Sequence, residues 1–149
     1  MLQKIHKYRF QILMLLPMIF LLVCIRIFEN QLFYDPFLVF FKNEFQNLPF
    51  PKANNFQLGC SLLFRYFLNT AVSLSIIYVL FNEKELVQFA SIMYLVFFVI
   101  LLVLFFLTLH FANPNHYLVL FYIRRFIIQP LFLLLFVPAF YYQNSVSKK

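Results

Sequence analysis

Four arginines stand where arginine is costly. Arg26, Arg65, Arg124 and Arg125 lie within or at the ends of stretches otherwise rich in Leu, Ile, Val and Phe. A charged side chain at the centre of a bilayer costs about 2.5–3.5 kcal/mol on insertion scales, and it defaults to a functional hypothesis. Glu29 follows Arg26 by three positions, Asn69 follows Arg65 by four, and Gln129 follows Arg125 by four. Residues so spaced share a helix face. Ser61, Arg65, Asn69 and Ser73 therefore form one polar stripe and Arg125 with Gln129 a second, while Arg124 points roughly 100° away from Arg125. A guanidinium is a planar fork that binds two oxygens at once and keeps its charge at depth. The chemistry this pattern suits is anion binding, with Arg26, Glu29, Arg65, Asn69, Arg124, Arg125 and Gln129 as the candidate residues. The anion would be a lipid phosphate, a substrate carboxylate or an acidic group on a partner membrane protein. A purely structural role uses the same residues: the arginines reach toward phosphates and pair with Glu29 to hold helix register. Glu29 is the one acid near them in a span, and Asp35 could fold back from the following loop.

Other chemistry has thinner support. Cys24 and Cys60 form no CxxC and no metal-type spacing; they read as small apolar residues of a bundle, with a disulfide or a reactive thiol as alternatives. His110 and His116 have no third ligand of suitable type nearby, so no metal is expected. No serine-triad motif, P-loop, HExxH or glycine-rich loop is present, and no cofactor is implied. The net charge of +7 would point to nucleic acid in a soluble chain, but the cations are dispersed and several must sit beside or inside a bilayer. A nucleic-acid partner is not expected.

The elements that must position these groups follow from composition. Of the 149 residues 64% are hydrophobic and 11% charged, with a mean hydropathy of +0.85. A soluble domain is about half apolar and about a quarter charged, so the expectation is an all-α, polytopic integral membrane protein forming a single domain over 1–149. A helix crosses the hydrocarbon core with about 20 residues. Four segments are long enough: about 10–28, 56–81, 86–110 and 117–142, a four-helix transmembrane bundle. The fourth is interrupted by Arg124, Arg125, Gln129, Pro130 and Pro138, and Pro17 can kink the first. Lys4, Lys7 and Arg9 before an apolar run resemble a signal peptide, yet Leu22-Val23-Cys24-Ile25-Arg26 offers no small-residue cleavage site. An uncleaved first span is expected. With Gly59 as the one glycine, no GxxxG association face exists. The 24 Phe residues read as lipid-facing and packing surface.

Short links at 82–85 and 112–116 make spans two to four antiparallel neighbours. In the longer loop at about 30–55, Asp35-Pro36 is a helix start, with Asp as cap and Pro at the first position. Phe37, Phe40, Phe41 and Phe45 then have helical spacing, so a short amphipathic helix lying on the membrane surface is expected there. Lys and Arg near the span ends number six on the side of the termini and two on the other, which puts both termini in the cytoplasm of an inner-membrane protein. Arg65, Arg124 and Arg125 then lie roughly 10–13 Å deep from the outer ends of their spans. The polar groups converge on the outer half of the bundle, where cations outnumber acids.

Three stretches carry a resemblance. Arg26-Ile-Phe-Glu-Asn-Gln-Leu-Phe-Tyr-Asp-Pro-Phe37, Phe64-Arg-Tyr-Phe-Leu-Asn-Thr70 and Phe121-Tyr-Ile-Arg-Arg-Phe-Ile-Ile-Gln-Pro-Leu131 resemble the exosortase F system-associated membrane proteins, and Pro138-Ala-Phe-Tyr-Tyr-Gln143 fits as well. These are small polytopic proteins found beside an exosortase in flavobacteria and their relatives. The resemblance spans nearly the whole chain, and its motifs carry no assigned chemistry. It implies an accessory or interaction subunit whose partner is the exosortase or its substrate's sorting signal. Exosortases are membrane transpeptidase-like enzymes that use Cys, Arg and a His or Arg near the outer face. Cys60, Arg65, His110 and Arg124/Arg125 supply those residue types without the enzyme's surrounding motifs. That overlap in residue types carries no argument; the alternative reading is a membrane-embedded thiol enzyme using Cys60 or Cys24 with the arginines. A small anion or lipid transporter ranks last, because span three offers only Gln88 and Ser91 as polar groups, near one end.

Overall fold

The computed structural model describes residues 2–42, 51, 54–111 and 117–147. Among these residues the chain is helical with no strand: α1 (Leu2–Ile27), α2 (Glu29–Leu32), α3 (Pro36–Lys42), α4 (Asn55–Phe81), α5 (Lys84–His110), α6 (Tyr117–Ile128) and α7 (Leu131–Ser147). Three helices (α1, α4 and α5) are long and apolar enough to cross a membrane, or four spans if the bent pair α6 and α7 counts as one. Their exposed faces carry Leu, Ile, Val and Phe, such as Leu13, Phe20, Phe67, Leu95 and Leu134. An apolar exterior of this extent suits hydrocarbon rather than water.

The long helices match the segments expected from hydropathy to within two residues at most ends; α1 begins at Leu2, and α7 runs to Ser147, past the expected end. α4 starts on a capping asparagine, Asn54, whose side chain accepts the Phe56 N–H at 3.2 Å. It stops at Asn82, where φ is 54° and the N–H donates to the Tyr78 carbonyl at 2.8 Å. Asparagine tolerates the left-handed region, so this residue ends the helix and starts the short turn into α5.

α4 is the hub. It packs against α1, α5, α6 and α7, and its buried face carries Leu58, Leu62, Arg65, Tyr66, Asn69, Ser73, Ile76 and Ile77. α1 runs antiparallel along it, with Gln11 Nε2 donating to the Val79 carbonyl at 3.0 Å. With one glycine, the helices meet through rings rather than through small residues. Phe97 of α5 stacks on Phe132 of α7 (4.6 Å, 3°), and Phe81 of α4 meets Phe140 of α7 edge-on (5.9 Å, 88°). The Tyr66 hydroxyl donates to the Tyr94 carbonyl at 2.7 Å. Aromatic pairs of this kind are worth about 0.5–1.5 kcal/mol beyond their burial.

Two expectations are corrected. The fourth segment is not one continuous helix: α6 and α7 meet at 62° across Gln129-Pro130. Proline removes an N–H and its ring clashes with the carbonyl four residues back. One of the carbonyls that the break opens is served from α4, because Asn69 Nδ2 donates to the Ile128 carbonyl at 3.0 Å. The loop helix does not lie with its aromatic face toward lipid. Within α3 Phe37, Leu38 and Phe40 are buried; Phe37 meets Phe105 of α5, Phe40 meets Tyr117 of α6, and Phe41 meets Phe121. The helix is a lid on one end of the bundle. Phe45, expected to extend it, lies outside the described residues, as do the 112–116 turn, Lys52 and the two C-terminal lysines.

Asn69→Leu removes the donor to the broken helix. It is expected to cost about 1–3 kcal/mol, the range for a buried acceptor left without its partner, and to lower the thermal unfolding midpoint in mild detergent. An unchanged midpoint would show that another group serves the Ile128 carbonyl.

Candidate functional site

The last turn of α1, the one-turn α2 and the start of α3 bring two carboxylates over the arginines of α4 and α6. The Phe28 N–H donates to the Cys24 carbonyl at 3.0 Å, so the chain barely leaves the helix before α2 begins. That places Glu29 back over Arg26, and Arg26 Nη1 donates to Glu29 Oε2 at 2.7 Å. The same carboxylate oxygen accepts from Arg65 Nη2. Arg65 Nη1 stands 3.6 Å from Asp35 Oδ2. Asp35 is then gripped from two directions by Arg124, whose Nη2 pairs with Oδ2 and whose Nε donates to Oδ1 at 3.3 Å. The result is a ladder of alternating charge, Arg26–Glu29–Arg65–Asp35–Arg124, drawn from α1, α2, α4, the α2–α3 link and α6.

Its inner rungs are largely shielded from solvent. Side-chain exposure is 2% for Arg65, 8% for Glu29, 3% for Asp35 and 6% for Arg124, against 51% for Arg26. Rings complete the enclosure: the Arg65 guanidinium lies 5.2 Å from the centre of the Phe33 ring and that of Arg124 5.9 Å from Phe41. A cation over an aromatic face at these distances gains attraction without taking up a hydrogen-bond donor. Arg65 Nε and Nη1 have no hydrogen-bond acceptor among the described residues. The ladder's only well exposed rung is Arg26.

Every candidate residue has a place. Arg26, Glu29, Arg65 and Arg124 form the ladder. Asn69 serves the backbone at the α6–α7 break. Arg125 is exposed, and its Nε donates to Gln129 Oε1 at 3.1 Å on the other side of α6 from Arg124. Asp35, read as a helix cap, holds two arginines with its side chain, while its carbonyl accepts the Leu38 N–H at 3.1 Å. The local excess of cations over acids was the signal for that role. Phe33 and Phe41 had none, since one Phe among 24 is not marked out by its type. Cys24 and Cys60 are both free, and no group of three metal-type ligands is found among the described residues.

No family model, curated protein or solved structure matches this chain.

Removing one partner of a buried pair strands the other charge, at about 3–5 kcal/mol. Glu29→Leu is therefore expected to destabilise strongly, whereas Arg125→Leu leaves stability nearly unchanged. The readout is the unfolding midpoint of purified protein in mild detergent. Equal midpoints for the two variants would show that Glu29 does not compensate Arg65.

Proposed function

We propose that this protein is an accessory or interaction subunit of an exosortase F protein-sorting system. It sits in the inner membrane as a four-span bundle, with the α6–α7 pair as a broken fourth span and both termini in the cytoplasm. The charged ladder then lies in the outer half of the bilayer, where a sorting signal emerges from its span. The partner is the exosortase, or the sorting signal of its substrate. The protein's own role is to present cations at a defined depth rather than to carry out bond chemistry.

One observation carries the cation-presenting part of this reading. Three arginines share two carboxylates in the described ladder, and the half-exposed rung is a cation, Arg26. Arg125 is a second accessible cation, held by Gln129. A surface of this kind, low in dielectric and net positive, favours an acidic group on a neighbouring membrane protein. The link to the sorting system rests on the resemblance of the 26–37, 64–70 and 121–131 stretches.

Two outcomes test it. Arg26→Leu with Arg125→Leu keeps the buried rungs intact, so the protein is expected to insert normally and to lose co-purification with the exosortase from native membranes. Retained co-purification would remove the partner role. For topology, a cysteine at Asn55 in a Cys24→Ser, Cys60→Ser background is expected to react with an impermeant maleimide on intact spheroplasts. Reaction only after lysis would invert the proposed orientation.

A further inference from the structure

The break between α6 and α7 leaves a groove against α4. It is a cavity of about 660 Å³, within the roughly 300–1,000 Å³ of small-molecule sites. Its walls are apolar: Leu15 and Leu22 from α1, Ile76 and Leu80 from α4, Leu134 and Val137 from α7. One end is polar, with Arg26, Arg65 and Gln129. No carboxylate is among its described lining residues.

We propose that this groove binds one anionic phospholipid, with an acyl chain lying along α4 and the phosphate held at Arg26 and Gln129. Three observations select that occupant. The first is charge. Arg26, Arg65 and Arg124 share Glu29 and Asp35 in the ladder, an excess of one cation that a phosphodiester offsets. The second is accessible donors at the polar end. Gln129 has its Oε1 taken by Arg125, so its amide NH2 is what it can offer a ligand, and Arg26 is half exposed.

The third is shape. From Arg26 to Leu15 is 11 residues of α1 and from Arg65 to Leu80 is 15 of α4, so the groove is roughly 16–22 Å long at 1.5 Å per residue. An apolar groove of that length holds an extended hydrocarbon chain. The exposed Ile19 and Leu134 belong to α1 and α7, the two helices that flank the groove, so the chain has a lateral way in from a bilayer.

This site goes beyond the partner role proposed above and stands or falls separately, since it is tested on purified protein with no exosortase present. The full chain is purified in mild detergent, incubated with equal amounts of phosphatidylglycerol and phosphatidylcholine of the same acyl chains, and read by native mass spectrometry. One phosphatidylglycerol is expected to be retained with a preference of about tenfold, the ratio that corresponds to about 1.4 kcal/mol. Arg26→Gln is expected to abolish the preference. Leu22→Trp, which fills the groove, is expected to abolish retention, and the exposed Leu134→Trp does the same should Leu22→Trp fold poorly. Equal retention of the two lipids, or undiminished phosphatidylglycerol in Leu134→Trp, would overturn the proposal. A photo-crosslinker at Leu134 in native membranes is expected to gain the mass of a lipid; an adduct with a polypeptide would assign the groove to a protein partner instead.

Discussion

A guanidinium taken out of water must find its oxygens inside the protein, and this requirement organises the bundle. Arg65 sits at the middle of the hub helix with its side chain 2% exposed. An isolated charge in such surroundings is worth many kcal/mol of destabilisation, so it persists only when paired and hydrogen-bonded. Both of its partners come from the 29–35 stretch that follows α1. The ladder therefore does what no apolar contact could: it fixes where the segment between α1 and α3 lies, which in turn sets Phe37, Phe40 and Phe41 of α3 over α5 and α6. Arg124 closes the arrangement by tying Asp35 to α6.

The same hub helix uses a neutral polar group for a different task. One turn along from Arg65, Asn69 serves the carbonyl that the Pro130 break leaves at Ile128. In hydrocarbon an unsatisfied backbone group costs several kcal/mol, which is why broken helices survive only where protein supplies the missing partner. The bend that Asn69 sustains turns α7 aside and opens the groove. The polar stripe on α4 thus carries two linked structures, the charge ladder and the broken helix, and the space between α1 and α7 is bounded by both.

Much of this was legible from residue types. The long helices were marked by long apolar runs, and spacing of four put Arg65, Asn69 and Ser73 on one face, where all three are buried. The roughly 100° between Arg124 and Arg125 separated the two, but did not say which would face inward. What spacing could not tell was the choice of partner. Asp35 before Pro36 fits a helix cap as well as an ion pair, and only the depth of Arg65 and Arg124 decides between them. The 62° bend was equally hidden: Pro17 and Pro138 lie inside α1 and α7, so a proline alone does not specify a break. The burial of α3 was missed because an aromatic stripe looks the same whether it faces lipid or other rings. Here its rings meet Phe105, Tyr117 and Phe121.

The central claim is that the ladder's charges act as one coupled unit across helices distant in sequence. A double-mutant cycle on Asp35→Asn and Arg124→Gln tests it most directly, because the two residues are 89 positions apart and meet only through the fold. Unfolding free energies of the four proteins in mild detergent are expected to give a coupling of at least about 1 kcal/mol, within the range for residues sharing an ion-pair network. Additive effects of the two substitutions would contradict the account.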